Sequence, residues 1–194
     1  QITVQSLAAS NPVPGDLVCV SGYSLVGRTR DPLVEWLDTL ADGVVVVLDP
    51  GATFAGLAEP LRDRVLARTD VWTGNADEAA ALTGVRGMRE AAEVVATLLA
   101  PDAVTIVRDG ARGCAVRESG RTTHCPGHPQ RPVDTNGAGD THTGVLLAER
   151  ATGASWPEAA ARANTAGAIK VTRRGPDTAP TRAEIDAFLA ALSH

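Results

Sequence analysis

The sequence predicts an α/β fold with a doubly wound, mostly parallel sheet flanked by helices. From residue 17 onward, short apolar runs alternate with segments whose apolar residues recur at helical spacing. Several of the apolar runs are uninterrupted, which is typical of strands buried on both faces of a parallel sheet. No internal repeat, low-complexity tract or linker divides the chain. We therefore expect a single domain over residues 1–194.

The first part of the chain predicts strands that alternate with helices. Three apolar runs are predicted strands: residues 17–20, 44–48 and 71–72. The helix after the first strand is expected to begin with Asp31 as its capping residue. Its apolar residues share one face: Leu33, Trp36, Leu37 and Leu40. Two more helices are expected at about 57–68 and after Asn75. At the start of the sequence, Ile2 and Val4 alternate like a strand entered in mid-fold.

The middle of the chain predicts an antiparallel edge to the sheet. Residues 88–99 have helical spacing, and residues 103–107 form another buried strand. Shorter strands at about 113–117 and 122–125 flank Ser119-Gly120, a sequence favourable for a hairpin turn. The sheet is therefore expected to gain antiparallel strands at this end.

The last part of the chain is predicted to be mainly helical. One helix begins at about Ala138, and two later helices are capped by Ser155 and Thr181. Each of these two caps is followed three residues later by a glutamate, which is the capping-box pattern. In a doubly wound α/β domain, ligands would lie beyond the carboxyl ends of the strands.

Composition excludes several classes of protein. The 194 residues are 44% hydrophobic and 21% charged, and no apolar stretch approaches the roughly 20 residues of a membrane-spanning helix. The net charge is -5 without a block of like charge, so neither a membrane nor nucleic acid is an expected partner. Three irregularly spaced cysteines and the lack of a signal-peptide pattern indicate a reduced, cytoplasmic protein.

The segment Asp134–Thr141 carries the clearest chemistry. It reads Asp-Thr-Asn-Gly-Ala-Gly-Asp-Thr and enters a helix through two glycines. Unpaired amides of Gly137, Ala138 and Gly139 at a helix start would form a site for phosphate oxygens. Asp140 beside that site would stay ionised, and could accept the proton of a hydroxyl that attacks a phosphoryl group. A plain turn followed by a helix is the simpler interpretation of the glycines alone.

The full string resembles the signature of the ribokinase-like family of PfkB type, the kinases of sugars, nucleosides and related alcohols. Other resemblances follow in that family's order. Asp49-Pro50 resembles the exit of its second strand, and Asn75 with Glu78 resembles its Asn-x-x-Glu motif. The resemblance implies that this pair helps to hold ATP and Mg²⁺, with Glu78 acting indirectly on the metal. The same pair is also a good helix cap.

Three further segments resemble parts of the family's nucleotide site. Residues 107–113 resemble the strand and turn along the phosphates, and residues 163–168 and 171–175 resemble the helix and loop that hold the adenine. Arg108 stands where many members carry threonine, and a guanidinium can pair with phosphate. The resemblance thus implies four more nucleotide-binding residues: Arg108, Gly110, Asn164 and Gly175.

The family often holds a monovalent cation such as K⁺ behind the anion site. By position, the resemblance implies that the carboxylate of Asp134 and a set of backbone carbonyls would bind it. Those carbonyls belong to Asn136, Lys170, Arg173 and Gly175.

The resemblance runs from about Val18 to Leu192 and corresponds to the later two-thirds of a ribokinase-like protein. It implies an N-terminally incomplete ribokinase-like domain, in which roughly a hundred residues with the first strands and the small β lid are missing. In relatives that part supplies most contacts to the sugar, and many relatives dimerise through the lid. A homodimer is accordingly an expectation for the full-length protein.

The sequence therefore supports ATP-dependent phosphorylation of a sugar hydroxyl, with the sugar and ATP as partners. A nucleoside kinase of the same family and a non-catalytic nucleotide-binding fragment are the alternatives. A Rossmann dehydrogenase and a P-loop enzyme are set aside because their glycine motifs are absent. His124, Cys125 and His128 lack a fourth ligand for structural zinc. His142, which follows Asp140 by two residues, is expected only to pack.

Overall fold

The structure is a computed structural model that describes residues 2–192, so the outermost residues of the predicted 1–194 domain lie outside the described part. Six strands form one sheet: β1 (Leu17–Ser21), β2 (Val45–Asp49), β3 (Val71–Asn75), β4 (Val104–Arg108), β5 (Gly113–Glu118) and β6 (Arg121–Pro126). They lie side by side in chain order. Strands β1 to β4 are parallel, and β5 and β6 are antiparallel. The predicted sheet with an antiparallel edge is confirmed.

Eight α-helices accompany the sheet within residues 2–192. They are α1 (Val4–Ala8), α2 (Arg30–Leu37), α3 (Glu59–Ala67), α4 (Ala76–Thr83), α5 (Met88–Ala96), α6 (Ala138–Ala151), α7 (Trp156–Lys170) and α8 (Arg182–Leu192). Helices α2 to α5 connect the parallel strands in turn, and α6 to α8 follow the hairpin. None of these helices is long and apolar enough to cross a membrane.

The two faces of the sheet carry separate hydrophobic cores. The core between α2–α5 and one face includes Trp36, Leu37, Val46, Leu48, Leu66, Trp72, Val95 and Val107. The core between α6, α7 and the other face includes Val47, Val71, Ile106, Val116, Leu146, Ala160 and Ala163. Successive side chains of a strand point to opposite faces, so Val47 belongs to a different core from its neighbours on β2. Both faces are covered, as a doubly wound sheet requires.

Two local predictions near the start are wrong. Residues 4–8 form a short helix rather than a strand, because Thr3 and Ser6 make a reciprocal cap. The Ser6 N–H donates to Thr3 Oγ1 at 3.1 Å, and the Thr3 N–H donates to Ser6 Oγ at 2.9 Å. Asp31 does not cap α2, which already begins at Arg30. It lies in the first turn, where a carboxylate still interacts favourably with the helix dipole.

The carboxyl ends of the parallel strands bring polar side chains to one edge of the sheet. Asp49 ends β2, Asn75 ends β3 and Arg108 ends β4. The register pairs Asn75 directly with Arg108. The start of α6 lies over the same edge, because Thr143 on α6 donates to Asp49 Oδ2 at 2.7 Å.

Candidate active site

A cavity of about 400 Å³ lies at the carboxyl ends of the parallel strands, beneath the start of α6. Eight of the sequence-predicted site residues line it: Asn75, Glu78, Arg108, Gly110, Ala138, Gly139, Asp140 and Asn164. Six others do not line it: Asp134, Asn136, Gly137, Lys170, Arg173 and Gly175. The structure therefore brings most of the predicted nucleotide and catalytic residues together on the cavity wall. The exceptions are Gly137 and Gly175, which lie off the wall with the other residues of the predicted cation site.

The first turn of α6 presents unpaired amides to this cavity. Gly137 caps the helix with φ of 76°, a left-handed conformation that favours glycine. The Ala138 N–H donates to the carbonyl of Thr135 at 3.2 Å. The amides of Gly137, Gly139 and Asp140 have no hydrogen-bond partner within residues 2–192. Because the helix dipole adds partial positive charge here, this turn is suited to bind an anion.

Asp140 follows these glycines on the cavity wall. Its side chain is exposed, and it makes no hydrogen bond or ion pair with the described residues. The charge of Asp140 also acts on Cys19 of β1. The pKa of the Cys19 thiol is raised to about 11, mainly by burial and then by the charges of Asp49 and Asp140. A carboxylate with free oxygens, beside amides that favour negative charge, can accept a proton from a bound hydroxyl.

Arg108 joins four parts of the site. Its Nη1 donates to the carbonyl of Gly139 at 2.9 Å, and its Nη2 donates to Asp49 Oδ2 at 3.4 Å and to the carbonyl of Thr73 at 3.3 Å. Glu78 Oε2 lies 3.8 Å from the same Nη2. The side chain is only 10% exposed, so these contacts are partly shielded from water. The guanidinium thus connects the ends of three strands to the first turn of α6.

Asn75 and Glu78 cap α4 reciprocally. The Asn75 N–H donates to Glu78 Oε2 at 2.7 Å, and the Glu78 N–H donates to Asn75 Oδ1 at 2.9 Å. Burial raises the pKa of Glu78, while the bond from Asn75 and the charge of Arg108 oppose this. The cap uses Oε2, and Oε1 makes no hydrogen bond with the described residues. An oxygen of this kind suits Mg²⁺, which is held in proteins by one or two carboxylates together with phosphates and water.

No cluster of three or more His, Cys, Asp or Glu side chains that could hold a metal occurs within residues 2–192. A metal at this site would therefore depend on a bound nucleotide for most of its ligands.

Asn164 fixes the wall of the cavity next to β6. Its Nδ2 donates to the carbonyls of Cys125 at 3.0 Å and Pro126 at 3.2 Å. Its Oδ1 lies 3.1 Å from Nε2 of His142 and can only accept, so Nε2 carries the proton. Each polar group of Asn164 is thereby engaged within the protein.

His142 contributes more to the cavity than the sequence predicted. It is buried on the cavity wall, and its Nδ1 has no partner among the residues that the structure describes. Burial, with a smaller effect of the Arg108 charge, lowers the pKa of His142 to about 3. The ring is therefore neutral at neutral pH and presents Nδ1 as an acceptor. The sequence offered one signal for it, a polar residue one turn into the helix that starts at the anion site.

Asp49 and Thr143 are two further site residues that the sequence did not select. Thr143 donates to Asp49 Oδ2, the same oxygen that faces Arg108. The signal for Asp49 was an acid at the end of a buried strand, where ligands of parallel sheets bind.

The loop behind the anion site is held by Asp134. Its Oδ1 accepts the Asn136 N–H at 3.0 Å, and its Oδ2 accepts the Gly175 N–H at 2.9 Å. These bonds, with smaller effects of the nearby Lys170 and Arg174 charges, lower the pKa of Asp134. The carboxylate therefore ties the loop before α6 to the loop after α7.

The chain is similar to known kinases over most of its length. The model of the pfkB family carbohydrate kinase matches residues 3–182. The sugar kinase YegV of Escherichia coli, named as uncharacterised, is 33% identical over 187 residues, which are 93% of this chain and 57% of that protein. This chain thus spans little more than half the length of that relative.

Two solved structures are similar in fold. A putative ribokinase II from Escherichia coli, in complex with ATP and Mg²⁺, superposes with a TM-score of 0.81 at 26% identity, covering 97% of this chain and 63% of that one. A double mutant of fructokinase from Vibrio cholerae, bound to fructose, ADP and potassium ion, gives a TM-score of 0.79 at 26% identity, covering 92% of this chain and 62% of that one.

Proposed function

The chain belongs to the pfkB family of carbohydrate kinases, and we propose that its protein transfers the γ-phosphoryl group of ATP to a sugar hydroxyl. The observation that carries this proposal is the first turn of α6. There Asp140, which has no hydrogen-bond or ion-pair partner among residues 2–192, lies beside unpaired amides on the wall of the cavity. A base next to an anion site is what phosphoryl transfer to an alcohol requires.

The proposed reaction assigns a separate task to each part of this turn. The sugar oxygen attacks the γ-phosphorus, the bond from that phosphorus to the bridging oxygen breaks, and ADP leaves. Asp140 accepts the hydroxyl proton as the new bond forms. The amides of Gly139 and Asp140 stabilise the charge on the moving phosphoryl group, with the Gly137 amide as a third unpaired donor of the same turn. Since Ala138 N–H bonds to Thr135, it takes the smallest share.

Residues below this turn are proposed to hold the nucleotide and its metal. Mg²⁺, when bound, would neutralise part of the phosphate charge. Glu78 is the residue of this chain that would hold it, and Asn75 keeps Glu78 in place through the cap of α4. Gly110 and Asn164 line the same cavity and would contact the nucleotide. The complex of the Escherichia coli relative with ATP and Mg²⁺ supports these cofactors.

Arg108 is proposed to act on the nucleotide site mainly through the protein. Its two terminal nitrogens already contact Gly139, Asp49 and Thr73. It would therefore fix the carbonyl side of the anion-binding turn, and its positive charge would still favour phosphate at the cavity wall.

A sugar is the proposed acceptor because the matching family is described as carbohydrate kinases, and because fructose is bound in the Vibrio cholerae relative. We further propose that residues 1–194 form one α/β nucleotide-binding and catalytic domain, that the protein is cytoplasmic, and that its full-length form is a homodimer. Neither nucleic acid nor a membrane is proposed as a partner.

A screen of acceptors tests the proposed function. ADP release from Mg-ATP would be measured for the full-length protein with pentoses, hexoses and nucleosides, and the phosphorylated product identified by mass spectrometry. We expect turnover with at least one sugar. Turnover with nucleosides alone would show that the acceptor class is wrong. ATP binding without turnover on any acceptor would instead identify a non-catalytic nucleotide-binding module.

A further inference from the structure

Lys170, the last residue of α7, is completely enclosed by the protein. Its relative exposure is 0%, and its Nζ has no hydrogen-bond partner within residues 2–192. Its neighbours Ala168 and Val171 line the nucleotide cavity, whereas Lys170 does not. The side chain therefore lies behind the cavity wall.

The stem of Lys170 lies against the loop that precedes α6. A Cβ atom built on Gly137 would be 3.6 Å from Cε of Lys170. The same Cβ atom would be 3.2 Å from the carbonyl oxygen of Pro176, in the loop after α7. The end of the Lys170 side chain is thus enclosed between the two loops that Asp134 ties together.

A buried ammonium without a partner costs several kcal/mol unless nearby negative charge or carbonyl dipoles stabilise it. Asp134 supplies the negative charge, since its pKa is lowered in part by the Lys170 charge. Arg174 also acts on Asp134, but its side chain is exposed to water. Of the two cations that act on Asp134, Lys170 is therefore the buried one.

The K⁺ site that the family resemblance implies uses the same two loops, so its fit can be tested against these residues. Both Asp134 oxygens are already engaged by amides. The carbonyl of Lys170 accepts the Arg173 N–H at 3.0 Å, and the carbonyl of Gly175 accepts the Thr178 hydroxyl at 2.9 Å. A second positive charge next to a buried ammonium would also be repelled strongly at low dielectric. Each of these oxygens keeps a second lone pair, so the charge of Lys170, rather than the hydrogen bonds, makes these residues unfit for a bound K⁺.

We propose that the ammonium group of Lys170 replaces the monovalent cation in this chain, so that its anion-binding turn needs no K⁺. Lys170 is then a positioning residue. Its charge holds the loop of Asp134 and Asn136, and through Gly137 it fixes the first turn of α6. Since the cation is covalently part of the protein, the state of the site does not depend on the K⁺ concentration.

The test compares thermal unfolding in KCl and in choline chloride at equal ionic strength. Four proteins are compared: the wild type, Lys170→Ala, Lys170→Met and Arg174→Ala. The wild type and the exposed control Arg174→Ala are expected to have the same Tm in both salts. Lys170→Ala leaves a cavity and removes the charge, so its Tm in choline should fall. KCl should then raise its Tm by several degrees, because a cation that binds only the folded state stabilises it. Lys170→Met fills the space without charge, and should lose Tm without a response to K⁺.

Stabilisation of the wild type by KCl over choline would overturn the proposal, even if no variant folds. A folded Lys170→Ala variant that does not respond to K⁺ would overturn it as well. The inference deepens the proposed function, and a measurement of activity rests on that function. In that measurement, kcat of the wild type should be the same in KCl and in choline chloride. The thermal measurements require no turnover, so failure of the proposed kinase activity would be distinguished from failure of the Lys170 assignment.

Discussion

The guanidinium of Arg108 holds together three groups on which the site depends: Asp49, Glu78 and the carbonyl of Gly139. A Cβ on Gly139 would lie 3.1 Å from Nη1 of Arg108, so the glycine gives the room that this contact needs. One side chain thereby links the carboxylates at the strand ends to the turn that presents the amides.

Replacement of Arg108 by methionine tests this role. It leaves two shielded carboxylates without their cation, so we expect the free energy of unfolding to fall by about 3 kcal/mol, at the low end for breaking a buried ion pair. Urea denaturation measures the change. Arg112→Met is the matched control, because the Arg112 side chain is 75% exposed and its one ion pair in the described part of the chain is with Asp109. Equal stability of the two variants would show that the contacts of Arg108 contribute little.

His142 makes the free energy of unfolding depend on pH. Its pKa is about 3 in the folded protein and about 6.5 when unfolded, so the unfolded state binds more protons between these values. The stabilisation is complete above pH 6.5 and is lost as the pH falls towards 3. Each pH unit within this window changes stability by up to roughly 1.4 kcal/mol.

The measurement is urea denaturation from pH 7 to pH 4.5, with His142→Gln as the comparison. Glutamine keeps a donor for Asn164 and does not titrate, so the variant should lose less stability over this range. His128, whose pKa is also lowered by burial, remains in both proteins and cancels in the difference. Parallel pH profiles would contradict the assignment of a neutral, buried His142.

For single residues, the sequence predicted well which side chains line the cavity. It predicted poorly which other residues those side chains contact. Asp140 and Glu78 were selected because their chemistry is visible in a motif, and both lie on the cavity wall. The engagement of Asn164 with β6 and the enclosure of Lys170 depend on residues distant in the chain. The sequence around either residue of such a distant pair does not indicate that the two are in contact.

The start of α6 is the element that decides the site. Gly137 has φ of 76°, and a Cβ there would be 3.2 Å from the carbonyl oxygen of Pro176. Gly153, after the end of the same helix, has φ of 95° with no atom near its Cβ position. The two glycines share the left-handed backbone and differ in crowding.

Substitution of each glycine by alanine separates the two effects. Both variants should lose roughly 1–2 kcal/mol from the left-handed conformation. Gly137→Ala should lose more, because its methyl group meets Pro176, and its affinity for ATP should also fall as the turn moves. Urea denaturation and nucleotide titration measure the two effects. A larger loss in Gly153→Ala, or unchanged ATP affinity in Gly137→Ala, would contradict this account of the turn.

Element boundaries were predictable where a side chain makes the boundary. The caps at Ser155 and Thr181 are confirmed, because each glutamate accepts the N–H of its capping residue, at 2.8 Å and 2.7 Å respectively. The helix at residues 4–8 was missed because two alternating apolar residues are weak evidence for a strand. The Thr3–Ser6 cap that forms there is local, but serine at that position lacks the usual glutamate signal.

At the scale of the whole molecule, one sheet separates two hydrophobic cores. The site lies at the carboxyl ends of the parallel strands, at the edge of the sheet between these cores. Trp72 and Val107 pack with α2–α5, while Ile106 and Leu146 pack with α6 and α7. Uninterrupted apolar strands predicted this arrangement, since a strand buried on both faces needs helices on both sides. The order of the strands was not visible in composition, and follows from the connections of the helices between them.

The central claim is that Asp140 is the base of a phosphoryl transfer whose anion site is formed by the neighbouring amides. The most direct measurement determines kcat and the Kd for ATP in Asp140→Asn, for the full-length protein with the acceptor found by the screen. We expect kcat to fall about 10²–10⁴-fold while the Kd for ATP stays nearly unchanged, because the amides remain and only the proton acceptor is lost. Asp102→Asn, an exposed acid before β4 at the opposite end of the sheet, should leave both quantities unchanged. Unchanged turnover in Asp140→Asn would remove Asp140 from the reaction and contradict the account.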